Sequence, residues 1–100
     1  MGAFSLTKAA KKDLRDIAKH SEERWGRAQR KHYLKGMDDA FHRLTNSPQL
    51  GKACDYISPG LWKYSYQSHT IYYDHISDTQ IEIIRILYKR MDVSLVEFGT

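Results

Sequence analysis

One hundred residues make a single domain, 1–100, and leave no room for a second of ordinary size. A hydrophobic share of 41% with 12% aromatics argues against disorder. No run approaches the roughly 18 apolar residues of a membrane span, the N-terminal segment lacks a signal peptide's apolar core, and the single cysteine, Cys54, excludes an intrachain disulfide and a cysteine-rich metal site. A cytoplasmic protein with no membrane partner is expected.

Net charge is +4, which favours acidic partners, whether protein or nucleic acid. The excess is concentrated between Thr7 and Thr45, with eleven basic and six acidic side chains, against five and six elsewhere. A solvated helix surface explains part of this bias. The sharper reading is an electrostatic footprint for an acidic partner.

In chain order, residues 3–6 form a short apolar run that fits a strand. Thr7 is a good helix N-cap, because its hydroxyl can accept from an orphan backbone N–H. Ala10, Leu14, Ile17, Ala18, Ser21 and Trp25 then recur at helical spacing. Gly26 sits where a left-handed residue would stop this helix. A second helix is predicted over 27–44, with Tyr33, Leu34, Met37, Ala40, Phe41 and Leu44 as its apolar stripe. So short a connection requires an antiparallel helical hairpin. Pro48 ends it, and an irregular loop is expected up to Gly60.

The period then changes. Residues 61–66 alternate, placing Trp62, Tyr64 and Tyr66 on one side. Residues 69–76 are rich in β-branched and aromatic side chains, and 80–87 are rich in isoleucine. Turn signals separate the three runs, which predicts an antiparallel meander. The last strand is apolar on both sides, so each face needs a cover. The hairpin supplies one. The tail, taken as flexible over about 92–100, carries Val93, Leu95, Val96 and Phe98 and could partly cover the other or dock into a partner. The expected architecture is β-α-α-β-β-β, a two-layer α+β domain with a helical hairpin on an antiparallel sheet.

Site chemistry is sparse. His20, His32 and His42 are not spaced i, i+4, so no helical metal pair forms, and no metal or cofactor is expected. Cys54 lies in no nucleophile motif. The glycines are scattered rather than gathered in a phosphate loop. Glu22-Glu23 and Asp38-Asp39 fall on polar helix surfaces. Arg85 differs, because it interrupts the isoleucines of the last strand. Strict alternation puts it with Ile81, Ile83 and Leu87, opposite Ile84 and Ile86. Buried unpaired it is costly, so either a carboxylate meets it, with Asp74 a candidate, or it lines a face for an anionic partner. Lys89 and Arg90 extend the basic character to an edge suited to RNA phosphate or an acidic protein surface.

Read together, several segments resemble the ParE-type toxins of the RelE/ParE toxin–antitoxin superfamily. They are F-x-L-T-x-A-A-x-x-D-L at 4–14, D-I-A at 16–18, R-W-G at 24–26, N-x-P at 46–48, Gly51, Cys54-Asp55, S-H-x-I-x-Y at 68–73 and I-x-R-I-L-x-x-R-M-D at 83–92. The resemblance covers nearly the whole chain and implies the same β-α-α-β-β-β fold. It also implies the toxin half of a type II pair, restraining growth or maintaining a genetic element such as a plasmid. Its activity would be inhibition of DNA gyrase, a block to replication without catalysis of its own. A ParD-type antitoxin, through a C-terminal segment that orders on binding, would neutralise it.

On that resemblance, Arg85, Tyr88, Lys89, Arg90, Met91, Asp92 and Phe98 are the expected gyrase contacts, with no direct nucleic-acid specificity. Arg24, Trp25, Arg30 and Tyr33, on the basic hairpin, are the expected antitoxin contacts. The alternative is a RelE-like ribosome-dependent mRNA endoribonuclease, in which Arg85 and Lys63 stabilise charge and Tyr88 or His69 carries the proton. Tyr88 stands where many ParE-like chains carry histidine, and 61–66 replaces a more basic stretch.

Overall fold

A computed structural model describes residues 3–98. The last two residues of the expected tail therefore lie outside the described residues. Strand β1 (Ala3–Leu6) leads through Thr7 into the helical segment α1 (Lys8–Asn46). The Thr7 hydroxyl accepts from Ala10 N at 3.0 Å and donates to Ile84 O at 2.8 Å, so one side chain caps the helix and ties its start to the sheet. Gly26 breaks α1 with φ 87° and ψ 174°, a conformation that glycine adopts without a Cβ clash. Two arms, 8–25 and 27–46, result. Leu14 and Ala18 of the first lie beside Phe41, Met37 and Leu34 of the second, which is the expected antiparallel hairpin.

After a short turn (Pro48–Leu50) come β2 (Lys52–Ala53), β3 (Leu61–Tyr66), β4 (His69–Ser77) and β5 (Gln80–Tyr88), and then a second short turn (Val93–Leu95). The sheet order is β1-β5-β4-β3-β2. The meander β3-β4-β5 is antiparallel as expected. The sheet is mixed rather than wholly antiparallel, because β1 lies at its edge paired parallel with β5. β2 was hidden in the sequence. Two residues are too few to show alternation, and its pairing with Trp62 and Lys63 is set by the loop around it.

Two cores flank the sheet. Ile17, Met37, Phe41, Leu44, Ile71, Tyr73, Ile81, Ile83 and Ile86 pack under the hairpin, joined at the margin by Trp62, Tyr64 and Tyr66. Cys54, Leu61, Tyr72, Ile84 and Leu87 form the outer core, against which Val93, Val96 and Phe98 of the tail pack. Both faces of β5 are thus covered. The alternation expected along β5 fails after Ile83. A register shift opposite Tyr72 and Tyr73 inserts one residue, so Ile86 joins Ile81 and Ile83 while Leu87 joins Ile84.

Tyr73 braces the loop against the sheet. Its hydroxyl donates to Pro48 O at 2.6 Å and accepts from Gly51 N at 3.1 Å, and His75 Nε2 donates to the same carbonyl at 3.0 Å. Burial pushes the Tyr73 phenol up to about 12, so it stays a neutral donor.

Candidate functional site

A groove of about 790 Å³ runs between the first helical arm and the C-terminal end of β5. Its floor carries Asp13 and Arg85. Arg85 Nε and a terminal guanidinium nitrogen donate to the two Asp13 oxygens at 2.8 and 3.0 Å. One of those oxygens also accepts from Ile86 N at 2.9 Å. The partner of Arg85 is therefore Asp13 on the helix, not Asp74. Arg85 lies opposite Tyr72 and reaches Asp13 on the first helical arm, whereas Asp74 lies opposite Leu61 and Glu82, where burial and Glu82 raise its pKa. The carboxylate in turn raises the Arg85 pKa, fixing its charge.

Beside this pair, Tyr33 of the second arm meets His69 at the start of β4, with Oη 2.7 Å from Nδ1. Burial, and then His20, lower the His69 pKa and favour the neutral ring, which shares one hydrogen bond with the Tyr33 phenol. The Tyr33 ring packs edge-on against Tyr66, and His69 against Tyr88. The rim is apolar and open. Trp25 is 57% exposed, and Tyr88 and Met91 are about half exposed. Trp25 is lifted out because Gly26 turns the chain immediately after it, and the Arg24 guanidinium lies 5.3 Å from its ring centre. No carboxylate among the described residues pairs with Arg24.

Six expected site residues thus meet at one groove: Arg24, Trp25, Tyr33, Arg85, Tyr88 and Met91. The other five do not line it. Arg30 pairs with Glu22 across the Gly26 break at 3.5 Å, as Arg27 does at 3.2 Å. Lys89 and Arg90 project from the turn after β5, exposed and without a carboxylate partner among the described residues. Asp92 caps the second short turn, accepting from Ser94 N at 3.0 Å and Ser94 Oγ at 2.7 Å. Those bonds hold its carboxyl below the usual range. Phe98 lies on the opposite face of the sheet, its ring 4.8 Å from that of Tyr72.

Lys63, named for the nuclease alternative, is also on the opposite face. It donates to Tyr56 Oη at 2.9 Å, on the side of Leu61 and Tyr72. Sequence reasoning missed Asp13 as a groove residue. Its signal was present: Asp13 is three residues after Ala10 and four before Ile17, a carboxylate on the core-facing stripe of a helix. Among the described residues no cluster of three metal-ligating side chains occurs, and no helix is long and apolar enough to cross a membrane.

Comparison with known proteins agrees with this architecture. The family described as "ParE toxin of type II toxin-antitoxin system, parDE" matches residues 4–93. Toxin ParE1 of Mycobacterium tuberculosis is 38% identical over 90 residues, covering 90% of this chain and 92% of that protein. Toxin ParE1 of Caulobacter vibrioides is 29% identical over 92% of this chain and 94% of its own length. A solved chain from a chromosomal ParDE TA system of P. aeruginosa superposes with a TM-score of 0.72 at 18% identity, over 88% of this chain and 96% of that one.

Proposed function

This chain belongs to the ParE toxin family of type II toxin–antitoxin systems, and from that premise we propose that it arrests growth by binding and inhibiting DNA gyrase until a ParD-type antitoxin covers it. One observation carries the reading: three of the four residues expected for the antitoxin (Arg24, Trp25 and Tyr33) and three of those expected for gyrase (Arg85, Tyr88 and Met91) share a single groove. Trp25, Tyr88 and Met91 supply exposed apolar anchors, Arg24 supplies an unpaired charge, and Lys89 and Arg90 lie just beyond. An antitoxin segment seated between Trp25 and Tyr88 hides the surface that the target needs. Neutralisation is then steric competition, and an acidic amphipathic segment suits the basic rim.

Contact is favoured over cleavage by the charge layout. Phosphoryl transfer needs cations converging on one developing charge. Arg85 is held by Asp13 on the hairpin side, whereas Lys63 is bonded to Tyr56 on the other side of the sheet. Induced expression followed by primer extension on translated message separates the two readings. The proposal expects intact message together with a DNA-damage response. Codon-positioned cuts that vanish in Arg85→Ala would establish the nuclease instead.

A further inference from the structure

The chain from Asp92 to Phe98 is attached to the domain in an unusual way. Its hydrogen bonds are its own: Leu95 N donates to Asp92 O at 3.4 Å, Val96 N to Val93 O at 3.1 Å, and Ser94 to the Asp92 carboxylate. The last backbone bonds to the sheet are upstream, from Lys89 N to Ser68 O at 2.9 Å and from Met91 N to Tyr88 O at 3.0 Å. Beyond them, among the described residues, only side chains hold the segment. Val93, Val96 and Phe98 sit half-buried against Cys54, Leu61, Tyr72, Ile84 and Leu87, while Leu95 is 85% exposed. A segment with few buried contacts and no ladder bonds belongs to the low-stability end of a fold and opens without global unfolding. What it covers is an apolar sheet face.

We propose that residues 92–98 form a strap that detaches as a unit from the outer face of the sheet, swinging about the turn at 89–91, and that the docked form seen here is the closed state of the toxin. The internal cap made by Asp92 and Ser94 keeps the strap folded as it leaves. The consequence for target binding rests on the reading above. Phe98 is an expected gyrase contact, yet its ring is packed on Tyr72. It reaches a partner only when the strap is open. The docked strap is therefore an autoinhibitory contact, and release makes both Phe98 and the sheet face available.

Cys54 reports the motion, because it is the single cysteine, is fully buried, and belongs to the core under the strap. Alkylation of Cys54 by a maleimide at fixed pH, across a series of low urea concentrations, follows opening in the full-length chain. A local opening gives a rate with a shallow urea dependence, and global unfolding gives a steep one. Phe98→Ala and Val96→Ala should each raise the shallow rate about tenfold or more, with Phe98→Leu intermediate and Leu95→Ala unchanged. If Phe98→Ala does not fold, the wild-type urea slope and Val96→Ala still decide. A Cys54 rate that tracks global unfolding, or that is the same in Val96→Ala as in the wild type, would overturn the strap. Failure of the chain to inhibit gyrase would leave these rates unaltered, so the two readings fail separately.

Discussion

Asp13 grips Arg85 with both carboxylate oxygens, at 2.8 and 3.0 Å, and with one of them also accepts from the backbone of Ile86 at 2.9 Å. A single side chain on the helical hairpin thereby neutralises the charge inside β5 and satisfies the backbone where the strand shifts register. The Asp13 side chain is only 11% exposed and that of Arg85 24%. Asp13→Ala leaves a cation and an N–H without partners, and should cost about 2–3 kcal/mol. Asp13→Leu combined with Arg85→Met should recover part of that loss and not all, since Ile86 N–H remains unpaired. Urea denaturation of the two variants checks this.

The burial of His69 predicts a pH dependence. The folded His69 pKa lies below its unfolded value of about 6.5. In the window between the two values the unfolded chain binds the proton that the native state refuses, so stability falls as pH drops through it. Above the unfolded pKa the contribution is fully present. His69→Gln should flatten the stability profile between neutral and mildly acidic pH, as followed by thermal unfolding.

Gly51 is enclosed. A Cβ there would collide with the backbone carbonyl of Lys63, held in β3, and with the Tyr73 hydroxyl, bonded to Pro48 O. Gly51→Ala should therefore destabilise by about 2 kcal/mol or more. Tyr73→Phe should cost about 1 kcal/mol, because Pro48 O keeps its bond from His75 while Gly51 N–H loses its acceptor. A reversed order of severity in denaturant midpoints would contradict the brace.

Much of the fold was legible because its signals are local. Thr7 as N-cap, Gly26 as helix stop and the alternation at Trp62, Tyr64 and Tyr66 each act over a few residues. The parallel pairing of β1 with β5 was not legible, since it joins residues almost eighty positions apart with no turn between them to fix direction. Arg85 is anomalous among the isoleucines of β5, and sequence alone points to a carboxylate on the neighbouring strand. The partner, Asp13, stands 72 positions away on the helix, and strand alternation says nothing of which helical residue lies beside a strand. The exposure of Trp25 follows from the φ of Gly26, whereas its helical spacing pointed toward the core.

The hairpin end of the groove makes a separable prediction about the antitoxin. Trp25 contributes little to the fold at 57% exposure, so Trp25→Ala should leave the unfolding midpoint nearly unchanged. It should weaken binding of the cognate antitoxin at least tenfold, as a lost aromatic anchor does. Arg24→Glu should weaken it further at low salt than at high salt. Arg30→Glu tests something else, because it places a second carboxylate beside Glu22 and strains the hairpin. Isothermal titration with a ParD-type antitoxin distinguishes these effects.

Inhibition of supercoiling by purified gyrase tests the central claim most directly. The toxin should inhibit supercoiling in a dose-dependent way or trap cleaved DNA. The loss should be reversed by antitoxin and reduced severalfold by Lys89→Glu with Arg90→Glu. Undiminished supercoiling at high molar excess of folded toxin, with no cleaved DNA accumulating, would contradict it.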